Sequence, residues 1–377
     1  MACPCGARVL VEILTGLLSL KNQSPSTPPE SEGEFTRNYI LGPKYIIKAI
    51  EIFSTMPNTI PPFEYAPVKT TWLKRDVLLF AHSIGCKAGD ELHFLYELHP
   101  KFQVFPTYPI VLTFKHADID IVDFLARNAA RTLPPGCPVL DWSVAVDGRR
   151  RMEFLCPLPP SSEGKTWDIH TKVLGVFDKG AGKGTVMEME HVLKQRESGQ
   201  VYTRAWESVF FKGTGGWGGE RGPKMNEHVP STPPRRPDAV SSFQSNAESA
   251  HLYRLNGDYN PLHATPEPGK SLGYGGTIMH GLFSWNITAR AVLSQFGGSE
   301  GRRLRDFEAM FSSPVKPGDK LDILMWDMGL CKRATSAVRN DESLQEVRFM
   351  VKVGDRVVLS NGKALLKCED EGVEVKL

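Results

Sequence analysis

The sequence predicts an α+β protein in which one long helix packs against a meandering antiparallel sheet. Two patterns support this class. The apolar residues from Leu282 to Phe296 recur at the 3.6-residue period of a helix, and the run stops at Gly297-Gly298. The residues that follow change to period two, which is typical of strands with one buried face. A helix followed by consecutive antiparallel strands indicates the α+β layout.

Strands in the C-terminal part are predicted from this alternation. In the segment Leu321–Met325 every second residue is apolar, so the apolar side chains share one face, and Val347–Val353 shows the same alternation. Gly354-Asp355 then turns the chain into Val357–Lys367. We therefore expect the last two strands to form a hairpin.

The first half is predicted to open with a helix over Lys74–Cys86 and to continue with strands. Ile169–Phe177 should pair with Thr185–Lys194 across the glycine-rich turn 179–185. The two halves are similar in size, so two copies of one architecture are expected, although no internal sequence repeat is visible. The predicted strands are Glu91–Leu98, Val139–Val146, Ile169–Phe177, Thr185–Lys194 and Val201–Phe211, the last alternating at Val201, Thr203, Ala205, Val209 and Phe211.

Composition indicates a globular protein and excludes several classes of partner. The chain has 377 residues, 41% of them hydrophobic, which is enough for a sizeable core. Lysine plus arginine (45) balances aspartate plus glutamate (43), so the charge does not favour binding to nucleic acid or to an anionic membrane surface. No apolar run approaches the roughly 18 residues of a membrane span. The seven cysteines lack the paired spacing of a zinc or redox site and are expected to be reduced thiols.

Four segments are predicted along the chain. Residues 1–62 form an extension, with Val9–Leu20 as an amphipathic helix or frayed leader and a polar, proline-rich stretch over 21–35. Residues 63–212 and 241–377 form two domains, and the glycine- and proline-rich residues 213–240 join them. The C-terminal Val375-Lys376-Leu377 is similar to the peroxisomal S-K-L signal. We expect a peroxisomal or cytoplasmic location.

The stretch Tyr253–His263 carries the strongest chemical signal. Asp258 and His263 lie five positions apart on a loop stiffened by Pro261. A carboxyl and an imidazole held this way can face each other across one water molecule, as an acid and a base. Asn260 can orient either group by hydrogen bonding. An isolated pair of this kind would more simply be an Asx-turn and a hydrogen-bonded loop histidine.

The same stretch is followed by His280-Gly281-Leu282, where the long helix is expected to begin. The first amides of a helix have no internal partners, and the helix dipole favours negative charge there. Glycine at this position lets an oxygen approach the amide closely. The sequence therefore combines an acid, a base and an oxyanion donor, which are the groups needed to add water to an α,β-unsaturated thioester.

Together these residues resemble the signature of the hydratase 2 family, the MaoC-like (R)-specific enoyl-CoA hydratases. The resemblance extends from residue 63 to about 370. It includes the non-catalytic first half of the hydratase 2 unit of peroxisomal multifunctional enzyme type 2. The segments that carry it are Asp76–Ala81, Leu95-Tyr96-Glu97, Phe105-Pro106-Thr107, Gly213–Gly219 and Val315–Trp326.

The resemblance implies a double hot-dog fold, with two antiparallel sheets that each wrap a helix. The second copy would catalyse, and the first would have lost its catalytic residues and bind the acyl chain. It implies an acyl-CoA substrate, no metal, no cofactor and a possible homodimer. The catalytic residues would be Asp258, His263, Asn260 and Gly281, with Gly257, Tyr259, Pro261, His280, Leu282 and Phe311 contacting the substrate.

Three positions depart from the family pattern. Asn256 stands where serine or threonine is usual, and Met310 replaces an arginine expected before Phe311. His82 and Ser83 interrupt a segment that is usually apolar. These last two residues predict a more polar acyl groove and leave an oxygenated or polyketide-like substrate open.

Several other features favour structural interpretations. The glycine runs 213–219 and 179–185 lack the spacing of a phosphate-binding loop and are expected to be a flexible connection and a hairpin tip. Arg149–Arg151 and Arg302–Arg305 are expected in solvated turns, with contact to CoA phosphates as the alternative. His280 is expected to cap or pack the helix start, and a direct catalytic role is the alternative.

Three functions compete at this point. The first is hydration of a trans-2-enoyl-CoA to a (3R)-hydroxyacyl-CoA, or the reverse dehydration. The second keeps the acid/base pair but dehydrates, isomerises or cyclises a biosynthetic intermediate. The third is a non-catalytic acyl-binding module, which would gain nothing from an acid and a base facing one water. A hot-dog thioesterase would use a different motif.

Overall fold

The computed structural model describes residues 59–142, 145–223, 232–332 and 343–368. Cys3, Cys5, the predicted helix 9–20, the polar stretch 21–35 and the C-terminal tripeptide 375–377 lie outside the described residues. Among the residues described, no helix has the length and apolar character needed to cross a bilayer.

Eleven strands within the described part of the chain form one antiparallel sheet. Its strand order is β1-β4-β5-β6-β3-β8-β11-β10-β9-β7, with β2 also paired to β4. The strands are β1 Phe63–Glu64, β2 Val68–Thr70, β3 Ala145–Phe154, β4 Trp167–Asp178, β5 Gly184–Gln195, β6 Val201–Lys212, β7 Ala239–Gln244, β8 Leu304–Phe311, β9 Lys320–Lys332, β10 Ser343–Val353 and β11 Arg356–Lys367.

The two halves of the sheet have the same topology. In each half an edge strand (β1, with the short β2 after it, or β7) is followed by helices and a further strand (β3 or β8), and then by a three-stranded meander that lies between the two in the sheet. The order β1-β4-β5-β6-β3 is therefore repeated by β7-β9-β10-β11-β8. The halves are joined where β3 pairs with β8, with Arg150 opposite Ala309. The expected duplication is present in topology without a visible sequence repeat.

The predicted long helix spans Gly281–Phe296 and is almost entirely buried. Trp285, with no exposed surface, packs edge-on against Phe307 of β8 at a centroid distance of 4.7 Å. Phe307 in turn stacks on Phe349 of β10, also at 4.7 Å. A helix that is apolar on most sides belongs in a core, and here the sheet surrounds it. This confirms the helix and the class predicted from periodicity.

The other helices are short and lie between β2 and β3 in the first half and between β7 and β8 in the second. The predicted helix 74–86 is confirmed as Lys74–Ser83, three residues shorter. The others are Leu92–Leu95, Leu112–Lys115, Phe124–Ala129, Ser249–Arg254 and Pro266–Ser271.

Two predicted strands are wrong. Glu91–Leu98 instead contains the Leu92–Leu95 helix. The buried Glu91 carboxylate accepts a hydrogen bond from the Lys87 amide at 2.7 Å and pairs with Arg290 of the long helix at 2.7 Å, which bends the chain. Val139–Val146 is also wrong, because Val139 is 83% exposed and the strand begins only at Ala145.

The prediction that the arginine run 149–151 lies in a solvated turn is therefore wrong. It lies in the middle of β3, not in a solvated turn, and Arg150 is 3% exposed. The second run is divided, since Gly301–Arg303 forms a short turn and β8 begins at Leu304.

The glycine run 213–219 is attached to the hairpin tip that joins β4 and β5. Asp178, at the end of β4, accepts hydrogen bonds from the amides of Gly180, Gly216 and Gly218 at 2.7–2.8 Å. The hairpin tip is confirmed, whereas the connection expected to be flexible is held in place by one buried carboxylate.

Candidate active site

The loop that carries Asp258 is shaped by hydrogen bonds within the motif. The Asn260 side chain accepts a hydrogen bond from the Leu262 amide at 3.0 Å and caps the short turn Pro261–His263. The Asn260 amide donates to Asp258 Oδ1 at 3.2 Å. The Asn260 side chain therefore positions the loop, and it is its backbone amide, not its side chain, that holds the Asp258 carboxyl group.

The His263 ring is held in place by a backbone carbonyl group. Its Nδ1 lies 2.9 Å from the carbonyl oxygen of Ile278. Because a carbonyl oxygen only accepts, Nδ1 carries the ring proton and Nε2 is left as the basic nitrogen. The ring is 8% exposed.

His280 supports both members of the pair. Its Nε2 donates to the Asp258 carbonyl oxygen at 3.1 Å, and its ring stacks on that of His263 with centroids 3.8 Å apart. These contacts favour the packing role over a direct catalytic one. The side chain also lines the cavity, next to His263.

Burial changes the acidity of the three groups. It raises the pKa of the Asp258 carboxyl above its ordinary value and lowers the pKa of His263, with the attraction between the two opposing both changes. Burial also lowers the pKa of His280 well below its ordinary value, and proximity to His263 lowers it further. The pKa values of the carboxyl and the imidazole are thus each shifted in the direction of the other group's ordinary value.

Gly281 begins the long helix at the wall of the same cavity. Its amide belongs to the first helical turn, which has no intrahelical acceptors. A Cβ at this position would lie 3.0 Å from the Phe311 ring and 3.1 Å from Asp147 Oδ2. Glycine therefore keeps the space in front of the amide open for an oxygen atom.

These groups line one cavity of about 410 Å³. Asp258, Asn260, His263, His280, Gly281, Leu282 and Phe311, all predicted site residues, are part of its wall. A volume of this size is typical of a small-molecule site. The spatial convergence expected from the motif is present.

Gly257, Tyr259 and Pro261 lie outside the cavity wall, so substrate contact at these positions stays a prediction. Gly257 has a φ of +120°, and a Cβ there would lie 2.8 Å from the backbone of Lys115. The Tyr259 ring lies under the Arg254 guanidinium at 5.3 Å. The structure gives these residues a role in shaping the loop.

The first half contributes charged residues to the cavity, and of these only Arg150 was considered from sequence, as an alternative contact to CoA phosphates. Asp147, Arg150, His191 and Glu207 all line the cavity. One signal was available, because the alternation along β6 (Thr203, Ala205, Val209, Phe211) skips position 207. An acidic residue at an inward position of a buried strand indicates a polar site.

The ligand atoms of Asp258, His263 and His280 lie within 4.8 Å of one another, which is close enough to test for a metal site. The two imidazole rings are stacked, with 29° between their planes. Imidazole nitrogens bind a metal ion in the ring plane, and nearly parallel stacked rings do not direct two lone pairs to one point. The residues therefore fit a metal ion poorly, and the absence of a cofactor stays a prediction.

Comparison with known proteins assigns this arrangement to a family. Residues 71–213 match the MFE-2 hydratase 2 N-terminal domain, and residues 227–348 match the MaoC like domain. The probable enoyl-CoA hydratase 2 of Dictyostelium discoideum is 30% identical over 279 residues, which cover 74% of this chain and 87% of that protein. The chain belongs to the MaoC-like hydratase 2 family.

Other proteins similar to this hydratase 2 family member differ in length. The 3-hydroxyacyl-thioester dehydratase Y of Mycobacterium tuberculosis is 30% identical, over 72% of this chain and 87% of that one. The peroxisomal multifunctional enzyme type 2 of Mus musculus is 30% identical over 67% of this chain, but the match spans only 32% of the mouse protein.

A solved structure confirms the architecture expected of the hydratase 2 family. The MaoC-like dehydratase of Phytophthora capsici superposes with a TM-score of 0.68 and 32% identity, over 84% of this chain and 98% of that one. The repeated strand order within one sheet is that of a double hot-dog.

Of the positions that depart from the hydratase 2 pattern, Asn256 lines the cavity, whereas His82, Ser83 and Met310 do not. His82 is exposed, and the buried Ser83 hydroxyl accepts a hydrogen bond from Asn256 Nδ2 at 2.9 Å. Neither His82 nor Ser83 lines the cavity, so they do not make it more polar, contrary to the sequence-based expectation. Met310 lies opposite Arg149 in the β3–β8 pair.

The buried, neutral His280 predicts a pH dependence of stability. Its pKa is far below the ordinary value of 6.5, so below pH 6.5 the unfolded chain binds a proton that the folded chain does not. The free energy of unfolding should therefore fall with decreasing pH, by about 1.4 kcal/mol per pH unit from this group. Urea unfolding of His280→Gln should show a pH dependence smaller by about 1 kcal/mol between pH 6.5 and 5.5, because the unfolded imidazole is only half protonated at pH 6.5.

The same measurement has an internal control. Above about pH 7.5 His280 is neutral in both states, so the pH dependence of the variant should run parallel to that of the wild type. Equal slopes below pH 6.5 would contradict a neutral His280 in the folded protein.

Proposed function

We propose that this protein hydrates trans-2-enoyl-CoA thioesters to (3R)-3-hydroxyacyl-CoA, or catalyses the reverse dehydration. The observation that supports this most is the convergence of Asp258, His263 and Gly281 in one cavity. The (3R) configuration is the outcome that the family resemblance implies. The names of the Dictyostelium and Mycobacterium relatives describe the two directions of this reaction.

In the proposed mechanism the thioester oxygen accepts a hydrogen bond from the Gly281 amide. One water molecule lies between the Asp258 carboxyl and His263 Nε2. As its oxygen bonds to C3, the water loses a proton to the pair, and the π electrons of the C2–C3 bond move toward C2 and the thioester oxygen. The pair then returns one proton to C2, which completes the addition.

The acidities of the pair support this exchange. A proton moves easily between two groups when their pKa values are close, and burial moves the pKa of Asp258 up and that of His263 down. The pair titrates as a unit, so we assign both proton transfers to the pair. His280 and Asn260 hold the backbone and the carboxyl group in place.

The function is tested directly with purified protein and trans-2-enoyl-CoA esters from four to sixteen carbons. We expect the absorbance of the conjugated thioester to decrease with time, and chiral analysis to give the (3R) product. A protein that is inert toward every chain length in both directions would not be an enoyl-CoA hydratase.

Location and assembly belong to the same proposal. The mouse relative and an enoyl-CoA hydratase 2 of Arabidopsis thaliana are named peroxisomal, which supports a peroxisomal location over a cytoplasmic one. A fluorescent fusion with a free C-terminus should colocalise with peroxisomes. For the proposed homodimer, light scattering should give twice the chain mass of 41.9 kDa.

A further inference from the structure

The cavity wall contributed by the first half has charged side chains where the strand pattern places apolar ones. On β6, Glu207 occupies the inward position between Ala205 and Val209. The neighbouring strands do the same, with Arg150 on β3 and His191 on β5. We call Asp147, Arg150, His191 and Glu207 the polar row.

The members of the polar row are linked by direct contacts. Arg150 donates from Nε and Nη2 to Asp147 Oδ1 at 3.0 and 2.8 Å. It also forms an ion pair with Glu207, its register partner on β6. His191 Nε2 lies 3.1 Å from Glu207 Oε1. The row is thus a continuous network across three adjacent strands.

Stability alone does not account for this network. Arg150 is 3% exposed and Glu207 is 8% exposed, so both charges have lost most of their water. A buried ion pair can often be replaced by apolar side chains of similar size without loss of stability. Charges retained in the wall of a binding cavity therefore point to a ligand with which they interact.

The polar row lies close to the reaction centre. Asp147 Oδ2 is 3.1 Å from the position that a Cβ on Gly281 would take. Both Arg150 hydrogen bonds go to the other oxygen, Oδ1, and within the described residues no hydrogen bond to Oδ2 is formed. A carboxyl oxygen with an unused acceptor position thus lies in the cavity wall beside Gly281.

We propose that the polar row binds a hydroxyl group on the acyl chain, so that the preferred substrates are hydroxylated enoyl thioesters and not plain alkyl ones. This inference rests on the proposed hydratase function and names its substrate class. Arg150 and Arg131, which also lines the cavity, balance the two carboxylates, and the acceptor that no hydrogen bond within the described residues occupies is Asp147 Oδ2. A hydroxyl group can donate a hydrogen bond to Asp147 Oδ2, whereas an alkyl chain displaces water from this oxygen without replacing the hydrogen bond.

The experiment compares trans-2-hexenoyl-CoA with its 5-hydroxy and 6-hydroxy derivatives. We expect kcat/KM of the wild type to favour the better hydroxylated ester by at least about tenfold, since the alkyl ester leaves a charged acceptor unpaired. In Asp147→Leu this ratio should fall close to one, while Arg150 keeps its partner Glu207. Asp147→Asn, which keeps a weaker acceptor, should retain an intermediate ratio.

A matched control is available on the same strands. Glu190 of β5 pairs with Arg204 of β6 at 3.0 Å and lies on the opposite face from His191. Glu190→Leu also removes one carboxylate from an arginine pair, but outside the cavity. The preference for the hydroxylated ester should be unchanged in this variant.

Failure of this inference is distinguishable from failure of the proposed function. A wild type that hydrates the alkyl ester at least as well as the hydroxylated ones, or an Asp147→Leu variant that keeps the ratio, overturns the inference and leaves the hydratase. If no ester is hydrated, the function fails, and calorimetry with saturated 5-hydroxy-, 6-hydroxy- and unsubstituted hexanoyl-CoA tests the row by itself. If a hydroxylated ester binds at least about tenfold more tightly than the unsubstituted one, the result supports hydroxyl binding by the polar row, and equal binding overturns it.

Discussion

Replacing Asp258 with asparagine is expected to lower kcat for enoyl-CoA hydration by about 10² to 10⁴-fold. The amide keeps the shape of the side chain and can still accept from the Asn260 amide, now 3.2 Å from Oδ1. It cannot take up or release a proton as the carboxyl group does, however, so only His263 of the pair can still transfer one. His263→Ala should cause a loss of the same order, because it removes the basic Nε2. Initial rates with the best ester of the chain-length series measure both effects.

The activity of Asp258→Asn can be compared with that of the wild type only if the variant folds normally. Thermal unfolding of Asp258→Asn should be close to that of the wild type, since the change removes a carboxyl whose pKa is raised by burial. Asp120→Asn, an exposed position on the loop before the Phe124–Ala129 helix, is the matched control and should keep full activity. A fully active Asp258→Asn protein would exclude the proposed mechanism.

The second large effect is expected on stability. Arg150→Met should lower the free energy of unfolding by about 3 to 5 kcal/mol at neutral pH, because it leaves the buried Glu207 carboxylate without its ion-pair partner. Arg150, together with His191, counteracts the effect of burial and holds the pKa of Glu207 down at about 2. The double variant Arg150→Met/Glu207→Leu should recover most of the loss, since apolar groups then fill the same space. Urea unfolding of the three proteins measures this.

The pH dependence gives an independent check. A carboxyl with a depressed pKa contributes stability above its unfolded pKa, ordinarily 4.5, and loses it as the pH falls toward about 2. The difference between wild type and Arg150→Met should therefore shrink in that range, because a protonated Glu207 needs no cation. A single variant as stable as the double one would show that Arg150 and Glu207 are not coupled.

The fold was predicted best where a segment has a strong local pattern. The Gly281–Phe296 helix, the hairpin of β10 and β11 and the meander of β4 to β6 follow from apolar periods and glycine turns. Prediction failed where contacts distant in sequence decide the conformation. Glu91 forms no strand because it pairs with Arg290, 199 positions away.

The proposed catalytic motif was also accessible from sequence, because its geometry is local. Asn260 caps the turn that presents His263, and both lie within a few residues of Asp258. Loops of this kind are specified by short-range hydrogen bonds and proline. The position of Gly281 at the first turn of the long helix was likewise predicted from the apolar period of that helix.

The amino-acid sequence by itself determined the class of fold, the loop proposed to be catalytic and the helix that begins beside it, since each depends on interactions between neighbours in the chain. Only the tertiary structure decided which surface faces that loop. The meeting of Arg150 with Glu207 depends on the register of β3 against β6, and that register is set by packing of the whole sheet. The chemistry of the acyl cavity is therefore a property of the fold, because its two walls come from halves of the chain that contact each other only after the sheet has formed.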